Sequence, residues 1–167
     1  MFKMKKRSMS TSDDSYPIVS CLSEYLCSFA GKERKPTDYP IYRAVLDYGL
    51  PYAGIKRPKG YAKMKARSCF GNAAILALEE RGTYVEGFAM SFDQPPIHHA
   101  WITRDEKHAI DITLPNATAW QYFGISFPRQ IVGEYVQRRG YADKLLEPSE
   151  RAVFQELLSK LPFEHRG

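Results

Sequence analysis

The chain has 167 residues, with hydrophobic residues at 44% and charged residues at 26%, a composition that fits one globular domain able to bury a core. Its formal net charge of +5 permits contact with an acidic surface but does not call for nucleic acid, because no RNA-reading or helix-turn-helix signature accompanies it. No run of 18 apolar residues suggests a transmembrane helix, and three cysteines are too few and too odd in number for a disulfide framework.

Residues 1–15 are charged, Ser-rich and aperiodic, which predicts a disordered leader ahead of a single domain over 16–167. The basic start MFKMKKR looks like the head of a secretory signal, but SMSTSDDSYP follows where an apolar run would be needed. The expected location is therefore the cytoplasm, or another cell into which the protein is delivered as an effector. Pro17–Ala30 carries Val19, Leu22, Tyr25, Leu26 and Phe29 at helical spacing. Cys21 and Cys27 within it lack zinc-ligand spacing and read as buried thiols in a reducing compartment.

Asp38 can cap a second helix with Ile41, Val45 and Leu46 inward and Gly49 closing it. Leu50–Arg67 is punctuated by Gly and Pro and reads as an extended loop. Its basic part, residues 55–67, is solvated charge that offers a grip to an acidic partner. Ser68 then caps a helix over Cys69–Arg81, which Gly82 ends. Strands are predicted at 83–90, 98–103, 109–113 and 120–127, with a loop at 91–96 and the charged turn RDEK between the second and third. Pro128 stands at the start of a helix through Arg139. Glu147 or Ser149 begins a last helix with Val153, Phe154, Leu157, Leu158 and Leu161 inward. The fold class is α+β: a central helix carrying Cys69 packed on a small antiparallel sheet, flanked by helices.

A cysteine in the first turn of a helix faces unpaired N–H groups and the positive end of the helix dipole, which favour thiolate over thiol. The same N–H groups can hold the oxyanion of a tetrahedral intermediate. His98 and His99 alternate across the pleat, so only one can share a face with Asp111. A five-residue turn over 103–107 sets Ile102 opposite His108 and His99 opposite Asp111. A carboxylate so placed fixes the imidazole tautomer and stabilises the imidazolium. Glu86 reads as solvent-facing, Asp93 as a turn cap, His108 as a surface residue, and Trp120, Tyr122 and Phe123 as core.

Cys69 at a helix start, the strand YVEGFA, then HHAWI and AIDIT, in that order, resemble the core of the transglutaminase-like, papain-related cysteine hydrolases. The resemblance spans Cys69 to Thr113. It implies that Cys69 is the nucleophile, His99 the general base and acid, and Asp111 the orienting residue, with Thr113 and Trp101 supporting that geometry. The family's upstream oxyanion donor has no counterpart, since Lys63 stands six residues before Cys69. Candidates for oxyanion or substrate contact are Asn72, Gln94, Tyr61 and Trp101, beside the Cys69 N–H. The implied activity is a cysteine-dependent amide hydrolase (protease, deamidase or amidase) working through a thioester on a peptide or protein substrate. Acyl transfer on the same triad and a catalytically inactive binding module using the 55–67 loop are the alternatives. No metal-ligand set, P-loop or dinucleotide fingerprint is present, so no cofactor is implied.

Overall fold

The computed structural model describes residues 40–161, together with Glu24. The expected leader, the helix over 17–30 with Cys21 and Cys27, and the Asp38 cap lie outside the described residues. Helix α1, Pro40–Tyr48, opens on a proline, whose missing N–H costs nothing at a first helical position. It buries Ile41 and Val45 and stacks Tyr42 on Phe88 with ring centroids 4.7 Å apart.

Strand β1, Leu50–Gly54, follows directly. This corrects the expectation of an extended loop from Leu50 onward. Pro51 is tolerated because at that point only strand β5, Trp120–Phe127, pairs with β1, through Pro51 opposite Phe123. Strand β4, His108–Ala109, reaches only Ala53 and Gly54 on the other side. A proline on a locally unpaired edge removes no ladder bond.

Helix α2, Cys69–Leu78, ends earlier than Gly82 suggested. Glu80 adopts the left-handed conformation, with φ of 60°. Its N–H reaches the Ala77 carbonyl and that of Arg81 reaches Leu76, a Schellman closure built on a residue other than glycine. Strands β2, Thr83–Ser91, and β3, Gln94–Thr103, form a hairpin tighter than the predicted loop over 91–96. Asp93 sits exposed in its turn and accepts a hydrogen bond from the Ser91 hydroxyl at 2.8 Å. Helices α3, Arg129–Arg139, and α4, Arg151–Ser159, are joined by the Tyr135 hydroxyl, which donates to the Val153 carbonyl at 2.9 Å.

The five strands run in the order β3-β2-β5-β1-β4. The sheet is mixed, since β1 and β4 are parallel, where an antiparallel sheet was expected. It curls until its two edges meet at an antiparallel bridge between Ile102 and Ile110. Strand alternation then separates two packing regions. Tyr84, Phe88, Ala100 and Ile102 join Ala73, Ala74 and Ala77 of α2 in the larger core. Val85, Ala89, Trp101, Tyr52 and Tyr122 form the second cluster, on the other face. The molecule is thus an α+β fold with helices against a curled sheet. Among the described residues no helix is long and apolar enough to cross a membrane.

Candidate active site

Among the described residues the edges of the sheet pair only at Ile102 and Ile110, and the chain beyond that bridge is irregular rather than the strand expected through Thr113. The bridge shifts the pairing by two residues from the expected one, in which Ile102 faced His108. A shift of two preserves the side-chain face, so His99 and Asp111 still meet, as diagonal rather than direct neighbours. His99 Nε2 lies 2.7 Å from Asp111 Oδ2, with both residues buried.

Asp111 is held on every side. Its Oδ1 accepts the N–H groups of Thr113 at 2.7 Å and Leu114 at 2.9 Å. Its Oδ2 also accepts the Tyr122 hydroxyl at 3.0 Å. Burial raises the Asp111 carboxyl, but the His99 hydrogen bond and charge and the two backbone N–H groups bring it below the ordinary range. Burial and the neighbouring carboxylate push the Tyr122 hydroxyl up, so it remains a donor. The sequence alone places Tyr122 in the core; its alternation in β5 carries no sign of this polar contact.

Cys69, a free and half-buried cysteine at the start of α2, is the other group that acts on His99. Burial lowers the imidazole pKa most strongly, yet hydrogen bonds to Asp111 and to the Cys69 thiol, with the charges of both, outweigh it and raise His99 from 6.5 to about 9. With Nε2 on Asp111, Nδ1 is the nitrogen left for the thiol. Ser68 stands at the N-cap position as expected, but its side chain makes no cap hydrogen bond, which corrects the expected cap, and the N–H groups of Cys69, Phe70 and Gly71 have no acceptor among the described residues. Arg67, two residues before Cys69, takes φ of 60°, which turns the chain sharply into the helix.

The four candidates for oxyanion or substrate contact sit as follows. Asn72 is buried and its amide donates to the Lys65 carbonyl at 2.8 Å and to Thr113 Oγ1 at 2.9 Å. Both its N–H bonds are committed, and it fastens the first turn of α2 to the segment beside Asp111. Gln94 is exposed at the hairpin end of β3, about 16 Å along the strand from His99. The Tyr61 hydroxyl donates to the Arg81 carbonyl, with the Arg81 guanidinium over its ring. Trp101 is fully buried in the second cluster, its ring centroid 6.4 Å from that of His99, with no partner for its indole N–H among the described residues. None of the four offers a free donor to a substrate at Cys69; the open donors are the uncapped N–H groups of α2.

His98 faces the opposite way from His99. Its Nε2 lies 2.8 Å from Glu86 Oε1, and its ring lies against Phe70 and Phe88. Glu86 is fully buried, contrary to the solvent-facing reading, and accepts from the Tyr84 hydroxyl at 2.7 Å and the N–H groups of Leu145 at 2.7 Å and Leu146 at 3.0 Å. It has the donors a buried carboxylate requires. His108 opens β4 beside Asp105 of the preceding turn, partly exposed. Among the described residues no group of three His, Cys, Asp or Glu side chains is placed to hold a metal ion. Comparison of the chain with protein-family models, curated proteins and solved structures finds no match.

Proposed function

We propose that the protein is a cysteine-dependent amide hydrolase of the transglutaminase-like and papain-like kind, with Cys69 as nucleophile, His99 as general base and acid, and Asp111 as the orienting carboxylate. The observation that carries this reading is the buried His99–Asp111 pair, with the Cys69 thiol near enough to help raise the same imidazole's pKa, at a helix N-terminus whose Ser68 side chain makes no cap hydrogen bond. A raised imidazole pKa favours the imidazolium, which stabilises a thiolate beside it. The order of helix, hairpin and Asp111 segment, with α2 on the curled sheet, supports the same family core.

The chemistry balances with these groups alone. The Cys69 thiolate attacks the amide carbon, and the developing oxyanion takes hydrogen bonds from the first-turn N–H groups of α2. As the tetrahedral intermediate collapses, the C–N bond breaks and His99 gives its proton to the departing amine. Water then adds to the thioester while His99 takes its proton, and the C–S bond breaks to release a carboxylic acid and restore the thiolate–imidazolium pair. Asp111 holds the imidazole throughout, and Tyr122, Thr113 and Leu114 hold Asp111. An amine in place of water would give acyl transfer by the same steps.

The test is labelling with an electrophilic cysteine probe and turnover across peptide and glycopeptide libraries, with Cys69→Ala as control. The expected result is labelling confined to Cys69 and turnover lost in the variant. Labelling that ignores Cys69, or equal turnover by Cys69→Ala, sinks the reading.

A further inference from the structure

A cavity of about 500 Å³ opens between the end of β1 and the 3-10 turn Ala117–Ala119, lined by Lys56, Arg57, Tyr61, Asp111, Asn116 and Thr118. Backbone contacts fix its walls. The Ile55 N–H bonds the Ala109 carbonyl at 3.2 Å, which sets where the chain leaves the sheet and delivers Lys56 and Arg57. A Cβ on Gly54 would lie 1.9 Å from the Ala117 carbonyl oxygen and 2.8 Å from that of Trp120. The 3-10 turn therefore closes on β1 only because residue 54 lacks a side chain.

The lining carries unspent positive charge. Lys56 and Arg57 have no ion-pair partner among the described residues, and Arg57 Nε is buried without an acceptor. A buried guanidinium N–H left unpaired is costly, and an oxyanion is the partner that suits its fork. Among the described residues, Asp111 is the only carboxylate on the lining. It forms no ion pair with Lys56 or Arg57; its oxygens are held by His99, Tyr122, Thr113 and Leu114, and the His99 imidazolium is its countercharge. Asn116 Oδ1 accepts from the Thr118 hydroxyl at 2.9 Å, and the Asn116 amide N–H groups remain without an acceptor among the described residues.

From these walls and donors we infer that the cavity binds the carboxylate or phosphate group of a small ligand, with Arg57 forking its oxygens and Lys56 and the Asn116 amide completing the cradle. This binding does not depend on the chemistry of Cys69. Only one extension rests on the proposed hydrolase: because Asp111 forms part of the lining, the anionic group would belong to the substrate, and acid-bearing substrates would be preferred.

Calorimetric titration of the full chain with inorganic phosphate, and separately with glutarate, at fixed low ionic strength tests the inference and separates the two sources. Saturable binding of at least one probe is expected, weakened about tenfold or more in Lys56→Gln/Arg57→Gln. The exposed pair Lys63→Gln/Lys65→Gln, on the same basic segment but off the lining, should bind as the native chain does. Arg57→Lys keeps the charge and loses the fork, and should weaken binding even if the double variant folds poorly. Cys69→Ala should bind the probe normally, so loss of turnover and loss of the anion site are read separately. The inference is overturned by absence of saturable binding with both probes, or by equal weakening in the two paired variants, which would mark diffuse surface charge.

Discussion

Neighbouring histidines on β3 find carboxylates on opposite faces of the sheet, His99 with Asp111 and His98 with Glu86. The pleat alone imposes this division, so substitution should split the two residues. His99→Ala should abolish turnover and also lower the melting temperature, since it strands the buried Asp111 carboxylate, while His98→Ala should keep most of the turnover. Asp111→Asn should cost about 10⁴ in kcat, as in the serine-protease precedent for an altered imidazole tautomer. Steady-state kinetics beside melting curves check all three, and loss of activity in His98→Ala alone would exchange the roles. The same pair predicts a pH dependence of stability. The folded pKa of His99, about 9, exceeds its ordinary 6.5, so the stabilisation is complete below 6.5 and is lost as pH rises through 9. The linked change is about 3 kcal/mol. Melting temperatures should fall across that window in the native protein and more weakly in His99→Gln; identical slopes would mean the imidazole is not held as described. At this scale the pairing of His99 with Asp111 was legible because parity survives a register error of two. Glu86 was not, because its two backbone donors come from residues 145 and 146, far along the chain.

Helix α2 joins the nucleophile to the acid–base pair, and Asn72 is the joint. Its amide bridges the Lys65 carbonyl and Thr113, whose own N–H bonds Asp111. Asn72→Ala leaves those two acceptors without their donor, which should cost about 2 kcal/mol of stability. It should also loosen Cys69 relative to His99. In a Cys21→Ser/Cys27→Ser background, the alkylation rate of Cys69 should drop several-fold; an unchanged rate beside lowered stability would make Asn72 merely structural. The start of α2 was readable from Ser68 and the Ala-rich run. Its end was not, because Glu80 takes a conformation that composition assigns to Gly82. Strand β1 is hidden in the sequence for a related reason: Pro51 argues against a strand, and only the one-sided pairing at that position makes it compatible with one.

The α+β class of the whole molecule follows from the order of helical and alternating segments, but the curl of the sheet does not, since it depends on contacts between β3 and residue 110 and on the parallel pairing of β1 with β4. What fills the face behind His99 is a cluster of rings: Trp101 lies 5.0 Å from Tyr122 and 5.6 Å from Tyr52, centroid to centroid. Gly124 makes room for it. A Cβ there would stand 2.6 Å from Trp101 Cη2 and 2.8 Å from the Glu86 carbonyl oxygen. Gly124→Ala therefore forces the indole to move, at a cost of about 1–3 kcal/mol for an overpacked core. Because Tyr122 packs on Trp101 and holds Asp111, the displacement should reach the acid–base pair. The expected outcome is a lower melting temperature, a changed near-ultraviolet circular dichroism signal from the ring cluster, and a several-fold slower alkylation of Cys69. Lower stability with Cys69 reacting at the native rate would show that the rings support the fold without setting the position of His99.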